Sequence, residues 1–263
     1  MSEQSPYSRP DRLPTEPRLR ELLLFYHVNG HDEQSPKGSF IDILRLPDED
    51  LEKKHDFIQW LFPLAEESVH NSNAPILDEE TVLIFRHHHD DWLRENVKLA
   101  LQRMMWFYGY DTVWRDGKLE TAEIEGPRQK FRWLTPSSHN HLRISRMLKS
   151  LRILGMPHEA EVVYDTFRRT NIIWGDGVSD ATLEHWKLAA DGPYGSSEDA
   201  PDWLVNLQEA DEVMAADLRD AQAQAPKPLH QIPASAPRPS YRKKGLIFTK
   251  TEDGRFATRY IYV

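Results

Sequence analysis

The sequence predicts a mainly α-helical protein, a compact helical single domain that continues into a Pro-rich linker and a small β-hairpin. Apolar residues recur at steps of three and four along most of the chain between Phe25 and Trp203, which is the helical period. Five prolines crowd the window 226–239, and two β-rich runs flank Asp253-Gly254 near the end. The 263 residues suffice for one domain or two small ones.

Composition excludes several classes of protein. Lys and Arg number 33 against 42 Asp and Glu, a net charge of −9, so nucleic acid is not an expected partner. The chain has no cysteine, which excludes disulfides, zinc–thiolate sites, iron–sulfur clusters and cysteine nucleophiles. No stretch has the pattern of a transmembrane helix or a signal-peptide core. We therefore expect a soluble intracellular protein, cytoplasmic or nuclear, whose oligomeric state the sequence leaves open.

Two helices are predicted most clearly. The range Asp91–Tyr108 gathers its apolar residues on one face and meets Gly109, a residue suited to a C-terminal cap. The range Asn140–Leu154 follows a capping residue at Ser138 or His139. The apolar spacing predicts six further helices, at Leu19–Val28, Glu49–Leu61, Asp78–His88, Glu159–Arg169, Asp180–Ala190 and Asp202–Gln222. The last of these is amphipathic, with many acids between its apolar residues.

The chain divides by composition into five parts. Prolines crowd both the first seventeen residues and a second window near the end, and these windows are expected to be extended and mobile. The parts are a mobile N-terminal segment at 1–18, a helical domain at 19–192, a C-terminal amphipathic helix at 193–222, a Pro-rich linker at 223–244 and a β-hairpin tail at 245–263.

The tail hairpin is predicted from Asp253-Gly254, the pair favoured in a two-residue type I′ turn. This turn would set Glu252 opposite Arg255 and Ile247 opposite Tyr260. Because a lone hairpin is only marginally stable in water, the tail should dock on the helical body or on a partner.

Three segments of the sequence resemble one family. They are His55-Asp56-Phe57-Ile58-Gln59-Trp60-Leu61-Phe62-Pro63, Phe107-Tyr108-Gly109, and Ser138-His139-Asn140-His141-Leu142-Arg143-Ile144-Ser145-Arg146 with Lys149-Ser150-Leu151 and Leu154-Gly155 after it. In order and spacing they are similar to the conserved N-terminal domain of the opioid growth factor receptor family, over about Phe25 to Phe167. The resemblance implies a helical fold and a non-enzymatic module that binds a peptide or protein.

The same resemblance carries expectations about ligand and location. The animal members are described as receptors for an enkephalin peptide, associated with the nucleus and its membrane. The resemblance therefore implies opioid growth factor receptor-like activity and peripheral membrane association for this chain.

The candidate ligand-binding residues surround the start of the helix after Ser138. Free N–H groups and the positive end of the helix dipole emerge there, an arrangement suited to a carboxylate, a phosphate or a peptide C-terminus. The residues at this end are Ser138, His139, Asn140, His141, Arg143 and Arg146. We expect the two arginines to contribute more to ligand binding than to stability. The alternative is structural, with a cap at His139 or Asn140 and basic residues paired to surface acids.

Gln59, Trp60 and Tyr108 complete the candidate ligand-binding set. The apolar run around Trp60 is more typical of core packing than of the lining of a binding groove. Tyr108 is interpreted in the same way, as a core residue. A polar amide inside such a run must reach solvent or bind buried backbone groups, so Gln59 is expected to hold the corner from Trp60 to Pro63.

A second function from a different class is an enzyme that acts on an anionic substrate at His139, Arg143 and Arg146. No P-loop, GxGxxG or GxSxG motif supports it, so no catalytic residue or cofactor is assigned. No metal is expected either. The run from His87 to His89 has consecutive spacing, and a helical site needs ligands at i and i+4. His139 and His141 could join these histidines only if the fold brings the two loops together.

Overall fold

The computed structural model describes residues 17–26, 39–68, 71–87, 92–126, 131–175, 177–195, 200–224, 244–250 and 256–262. These residues form ten helices and two antiparallel hairpins, which confirms the mainly α fold class. The elements are α1 Pro17–Tyr26, α2 Phe40–Arg45, α3 Asp48–Lys53, α4 Ile58–Leu61, α5 Glu79–His87, α6 Trp92–Phe107, β1 Tyr110–Arg115, β2 Lys118–Glu123, α7 Asn140–Ile153, α8 Pro157–Trp174, α9 Asp180–Asp191, α10 Asp202–Gln224, β3 Lys244–Lys250 and β4 Phe256–Tyr262.

The long helices agree with the sequence pattern and the short ones do not. The single helix predicted at Glu49–Leu61 is two helices, α3 and α4, because the backbone adopts an extended conformation at Lys54. The short helix α2 is absent from the prediction although Ser39 and Asp42 form a complete capping box at its start. Helix α1 begins at Pro17, inside the segment predicted as mobile, with proline in its favoured first position. Residues 1–16 and 225–243 lie outside the described part of the chain.

An unpredicted hairpin, β1–β2, packs beside α8. Its two-residue turn has positive φ at Asp116 and Gly117, 50° and 79°, as a type I′ turn requires. The Trp114 indole donates to Glu159 at 3.2 Å, and Thr170 donates to Glu123 at 3.1 Å. These bonds fix the hairpin against the helix.

The tail hairpin forms with a register one residue away from the predicted one. Leu246 lies opposite Tyr260, and Ile247 lies opposite Arg259 rather than opposite Tyr260. Because Lys250 pairs with Phe256, an odd number of residues joins the strands, which a two-residue turn at Asp253-Gly254 cannot provide. The connecting residues 251–255, and with them the predicted pair of Glu252 and Arg255, lie outside the described residues.

Aromatic rings form two clusters in the core. The first joins the N-terminal helices, with Phe25 at 5.6 Å from Trp60 and Tyr26 at 5.2 Å from Phe85 between ring centroids. The second joins the loop before α7 to the C-terminal helices; its rings are those of Tyr108, Tyr110, Phe131, Trp133, Phe167 and Trp186. Each buried ring of this size removes roughly 150–250 Å² from water. Among the helices that the structure describes, none combines the length and the apolar character of a membrane-spanning segment.

Buried arginines bind the carbonyl ends of the short helices. The last carbonyls of any α-helix lack partners within the helix, and a cation there also meets the negative end of the helix dipole. Arg103 of α6, only 1% exposed, donates to the Leu44 and Leu46 carbonyls at the end of α2 and to the Asp48 carboxylate at the start of α3, at 2.8–3.0 Å. One side chain thus joins two helices to a third.

Four further arginines repeat this contact. Arg143 and Arg146 bind carbonyls that end α3 and α4, and Arg152 binds the Gly192 carbonyl that ends α9. Arg86 of α5 donates to the Ile153 and Arg152 carbonyls at 2.8 and 3.1 Å, where α7 ends. Five helix ends are therefore held by guanidinium groups that reach them from another helix.

Replacement of Arg103 by Met is expected to lower the free energy of unfolding by about 3–5 kcal/mol, because two helix-end carbonyls and a carboxylate lose their donor. The matched control is Arg115→Met, which removes an exposed arginine paired with Glu120 and should cost about 0–1 kcal/mol. Urea denaturation of both variants measures the difference. Equal effects would contradict the structural role of Arg103.

Candidate functional site

The start of α7 lies against the end of α3. The Asn140 amide, fully buried, donates to both carboxylate oxygens of Glu52 at 3.3 Å. His139, the residue before α7, places Nε2 3.1 Å from Glu52 Oε1. His139 makes no side-chain cap bond; the Ser138 hydroxyl instead accepts the Asn140 N–H at 3.2 Å. Glu52 therefore organises this end of the helix from the neighbouring element.

Arg143 uses its terminal nitrogens within the protein. Nη1 donates to the Leu51 carbonyl at 3.0 Å and to Asn140 Oδ1 at 3.1 Å. Nη2 donates to the Lys54 carbonyl and to His55 Nδ1. Burial lowers the pKa of Arg143, although Tyr108 and Glu52 oppose that change. The contacts favour a structural assignment for this residue over the predicted ligand-binding one.

Arg146 is the less completely engaged of the two arginines. Nε donates to the Phe62 carbonyl at 2.9 Å, while Nη2 is buried without a hydrogen-bond partner among the described residues. Burial lowers its pKa to about 10, so the guanidinium stays charged at neutral pH, and Glu66 opposes the change. One turn further along α7, Ser150 donates to the Pro63 carbonyl at 2.8 Å. Both side chains secure the segment that follows α4.

Gln59 and Trp60 lie in the core. The Gln59 amide, with its nitrogen assigned toward the backbone, donates to the His55 and Asp56 carbonyls at 3.1 and 3.0 Å. It thus binds backbone of the turn before α4, close to the predicted corner from Trp60 to Pro63. Trp60 is 2% exposed and packs against Phe25.

Tyr108 and His141 are also held inside the protein. Burial raises the pKa of the Tyr108 hydroxyl well above its usual value, and that hydroxyl has no hydrogen-bond partner among the described groups. His141 Nε2 lies 2.9 Å from the Trp133 carbonyl, and the Trp186 indole donates to the His141 carbonyl at 2.9 Å. His141 therefore connects α7 to the second aromatic cluster.

The accessible part of this region is a short rim. The His55 and His139 rings stand edge to face at 5.1 Å between centroids, and both residues are exposed. Leu142, three residues after His139 and hence on the same side of α7, is 58% exposed. We call His55, His139 and Leu142 the α7 rim; Glu52 lies half-buried beneath it.

Three members of this region were missing from the sequence-based site. Glu52 and His55 come from α3 and its end, more than eighty residues before α7, so only the fold brings them together. Leu142 could have been found, because it is an apolar residue off the inner face that Ile144, Leu148 and Leu151 define.

No metal-binding group is present in the part of the chain that the structure describes. That part contains no cluster of three or more His, Asp or Glu side chains arranged to hold an ion. Residues 88–91 lie outside it, and only the backbone of His87 is described. The expectation that the histidine run binds no metal therefore stays a prediction.

One protein family matches most of this architecture. The model of the opioid growth factor receptor (OGFr) conserved region matches residues 23–186, from α1 through α9. The chain belongs to this family. The match includes every residue of the α7 rim and leaves α10 and the tail hairpin outside.

Individual relatives have longer chains. The human opioid growth factor receptor is 33% identical over 160 residues, which cover 59% of this chain and 23% of the receptor. The rat receptor is 39% identical over 108 residues, 41% of this chain and 18% of the receptor. Opioid growth factor receptor-like protein 1 of Xenopus tropicalis is 33% identical over 128 residues, 48% of this chain and 23% of that protein. The chain spans less than a quarter of the length of these relatives, and no solved structure matches it significantly.

The rim is expected to make stability depend on pH. Burial and the nearby Arg143 lower the pKa of His139, with a smaller contribution from His55, and Glu52 opposes them. The unfolded chain therefore takes up the proton first as pH falls through about 6.5, so this contribution destabilises the folded state from there downward. Above that pH both states hold neutral imidazole and the contribution vanishes.

Urea denaturation of a His139→Gln variant at several pH values tests this expectation. The variant should lose less stability than the parent protein between about pH 7 and 5. His185→Gln, which removes an exposed imidazole from α9, is the matched control. Identical pH profiles for His139→Gln and the parent would contradict the assignment.

Proposed function

We propose that the chain is a non-enzymatic module that binds a peptide or protein partner through the α7 rim. The observation that carries this proposal is an exposed apolar side chain, Leu142, beside two exposed imidazoles on a helix end that buried side chains hold in place. A partner that covers Leu142 would remove its apolar surface from water, and the two imidazoles offer hydrogen-bonding nitrogens beside it.

Family membership supports a partner of this class. The relatives are named as receptors for an opioid growth factor or as receptor-like proteins, and the matched region contains the rim. We infer a related role for this chain, including receptor-like activity and an intracellular location, cytoplasmic or nuclear. Because the chain covers less than a quarter of those relatives, the proposal concerns the conserved region and not the rest of each receptor.

The remaining predicted residues act, in this proposal, by holding the rim. Ser138 and His139 are within reach of a partner, whereas Asn140 and Arg143 fix the backbone beneath them. Gln59, Trp60, Tyr108, His141 and Arg146 position the segments on which that backbone rests.

The alternative of an enzyme for anionic substrates receives less support. It needs Arg143 and Arg146 to present two forked cations to one anion. The terminal nitrogens of Arg143 bind Leu51, Lys54, Asn140 and His55, and Arg146 Nε binds Phe62. An anion would have to displace the bonds of Arg143, and the Arg146 Nη2 that lacks a partner among the described groups is buried.

A direct test measures the binding of a fluorescently labelled enkephalin peptide by anisotropy, with a scrambled peptide as control. The double variant His139→Ala with Leu142→Ala should weaken binding about tenfold or more, because burial of a leucine contributes about 1.5–3 kcal/mol, while leaving the melting temperature nearly unchanged. The comparison variant Arg143→Met should instead lower the melting temperature.

Two results would contradict the proposal. One is equal peptide affinity for the double variant and the parent protein. The other is a parent protein that does not distinguish the peptide from its scrambled form, which would remove the peptide as a ligand of the rim.

A further inference from the structure

Polar contacts at Asp211, called here the latch, attach helix α10 to the domain. Arg86 binds both carboxylate oxygens of Asp211, at 2.8 and 3.0 Å, and the Tyr194 hydroxyl donates to the same carboxylate. The Arg152 guanidinium stacks 4.8 Å above the Tyr194 ring, and Gln208 Oε1 accepts the Tyr194 N–H at 2.8 Å. These contacts hold the first half of the helix, together with the buried Leu204.

Past this latch, helix α10 exposes the apolar side chains of Val213 and Met214. Leu204, Leu207 and Asp211 face the body, and the helical period carries that line on to Met214 and Leu218. Met214 and Val213 are each 61% exposed. We call residues 212–224 the distal half of α10. Its exposed apolar side chains, Val213 and Met214, lie beside the exposed acids Glu212 and Asp217.

Charge is divided unevenly between this region and the tail. Residues 191–224 contain nine Asp and Glu and one Arg, and the distal half of α10 holds three of these acids and the Arg. Residues 225–263 contain eight Lys and Arg and two acids, and the hairpin at 244–262 holds four of these basic residues and both acids. The first 224 residues together hold 40 acids against 25 basic residues. Opposite charges of this size attract over about a Debye length, roughly 8–10 Å at moderate ionic strength.

The tail needs a surface to dock on. A two-stranded hairpin is marginally stable alone in water, and β3–β4 consists of seven residues per strand with apolar residues such as Leu246, Ile247 and Phe248. We propose that the β3–β4 hairpin docks on the distal half of α10 of its own chain. The basic hairpin would thereby cover the exposed apolar and acidic surface of the helix.

The connecting chain is long enough for this arrangement. Nineteen residues separate Gln224 from Lys244 and at full extension reach about 63–68 Å. Helix α10 has 23 residues and measures about 35 Å. The hairpin can therefore reach any point of the helix, and the tether raises its effective concentration there well above that of a free partner.

The absence of native cysteine makes the distance measurable in the full chain. Two introduced cysteines, Ala215→Cys on exposed α10 and Thr249→Cys on β3, carry spin labels for pulsed electron paramagnetic resonance. We expect a short, narrow distance distribution at 50 mM NaCl that broadens at 500 mM. Diluting the labelled protein with unlabelled chain should leave it unchanged.

Charge reversal provides the matched control. Glu212→Lys with Asp217→Lys should broaden the distribution at low salt, because it removes the attraction from the distal half of α10. Glu161→Lys with Glu184→Lys changes the net charge by the same amount, at exposed positions of α8 and α9, and should leave the distance distribution unchanged. Circular dichroism checks that both pairs remain folded; Glu212 accepts a hydrogen bond from Gln208 at 2.7 Å, but the Arg86–Asp211–Tyr194 contacts are present in both pairs.

Three outcomes would overturn the proposal. A broad distribution at low salt means that the hairpin does not dock on α10. A short distance that disappears on dilution assigns the hairpin to a second copy of the chain. A broad distribution accompanied by tight binding of a labelled RNA oligonucleotide identifies nucleic acid as the partner of the basic tail.

Discussion

Hydrogen bonds from buried guanidinium groups to the carbonyl ends of helices are the interaction on which this domain depends. Its first helices are only four to ten residues long, too short to be stable by themselves, and each leaves carbonyls without partners at its end. Arginines of α6 and α7 supply those partners at the ends of α2, α3 and α4 across long stretches of sequence. Each such bond to a charged donor is worth about 1.5–3 kcal/mol, and its loss leaves polar groups buried and unsatisfied.

The same interaction decides what the start of α7 can do. Because Arg143 binds the end of α3, its guanidinium is already bonded, and the helix end exposes two imidazoles and Leu142. We propose a polypeptide as the partner of this surface for that reason. The aromatic clusters behind α7 and the Glu52–Asn140 contact keep this surface in one arrangement.

The sequence predicts the long helices and the family, and misses what depends on distant contacts. Helices α6 and α7 follow the 3.6-residue period over four turns, whereas α2 and α4 are too short to display it. The turn at Asp116-Gly117 has the same dipeptide as Asp253-Gly254. Polar residues flank it, so apolar and polar residues alternate only weakly along its strands and the sequence does not predict the hairpin. The sequence of α7 does not distinguish basic residues that bind a ligand from basic residues that bind the carbonyl end of another helix. Their roles are set by carbonyls about ninety residues away.

The exchange of guanidinium Nε–H protons with solvent, followed by nuclear magnetic resonance, tests the central claim most directly. The Nε–H groups of Arg86, Arg103 and Arg146 donate to buried carbonyls at 2.8–3.0 Å, whereas Arg45 is exposed at the end of α2. Exchange of the three buried protons should be slower than that of Arg45 by several orders of magnitude, as expected for groups released only by opening of the structure. Exchange of all four at similar rates would contradict the account.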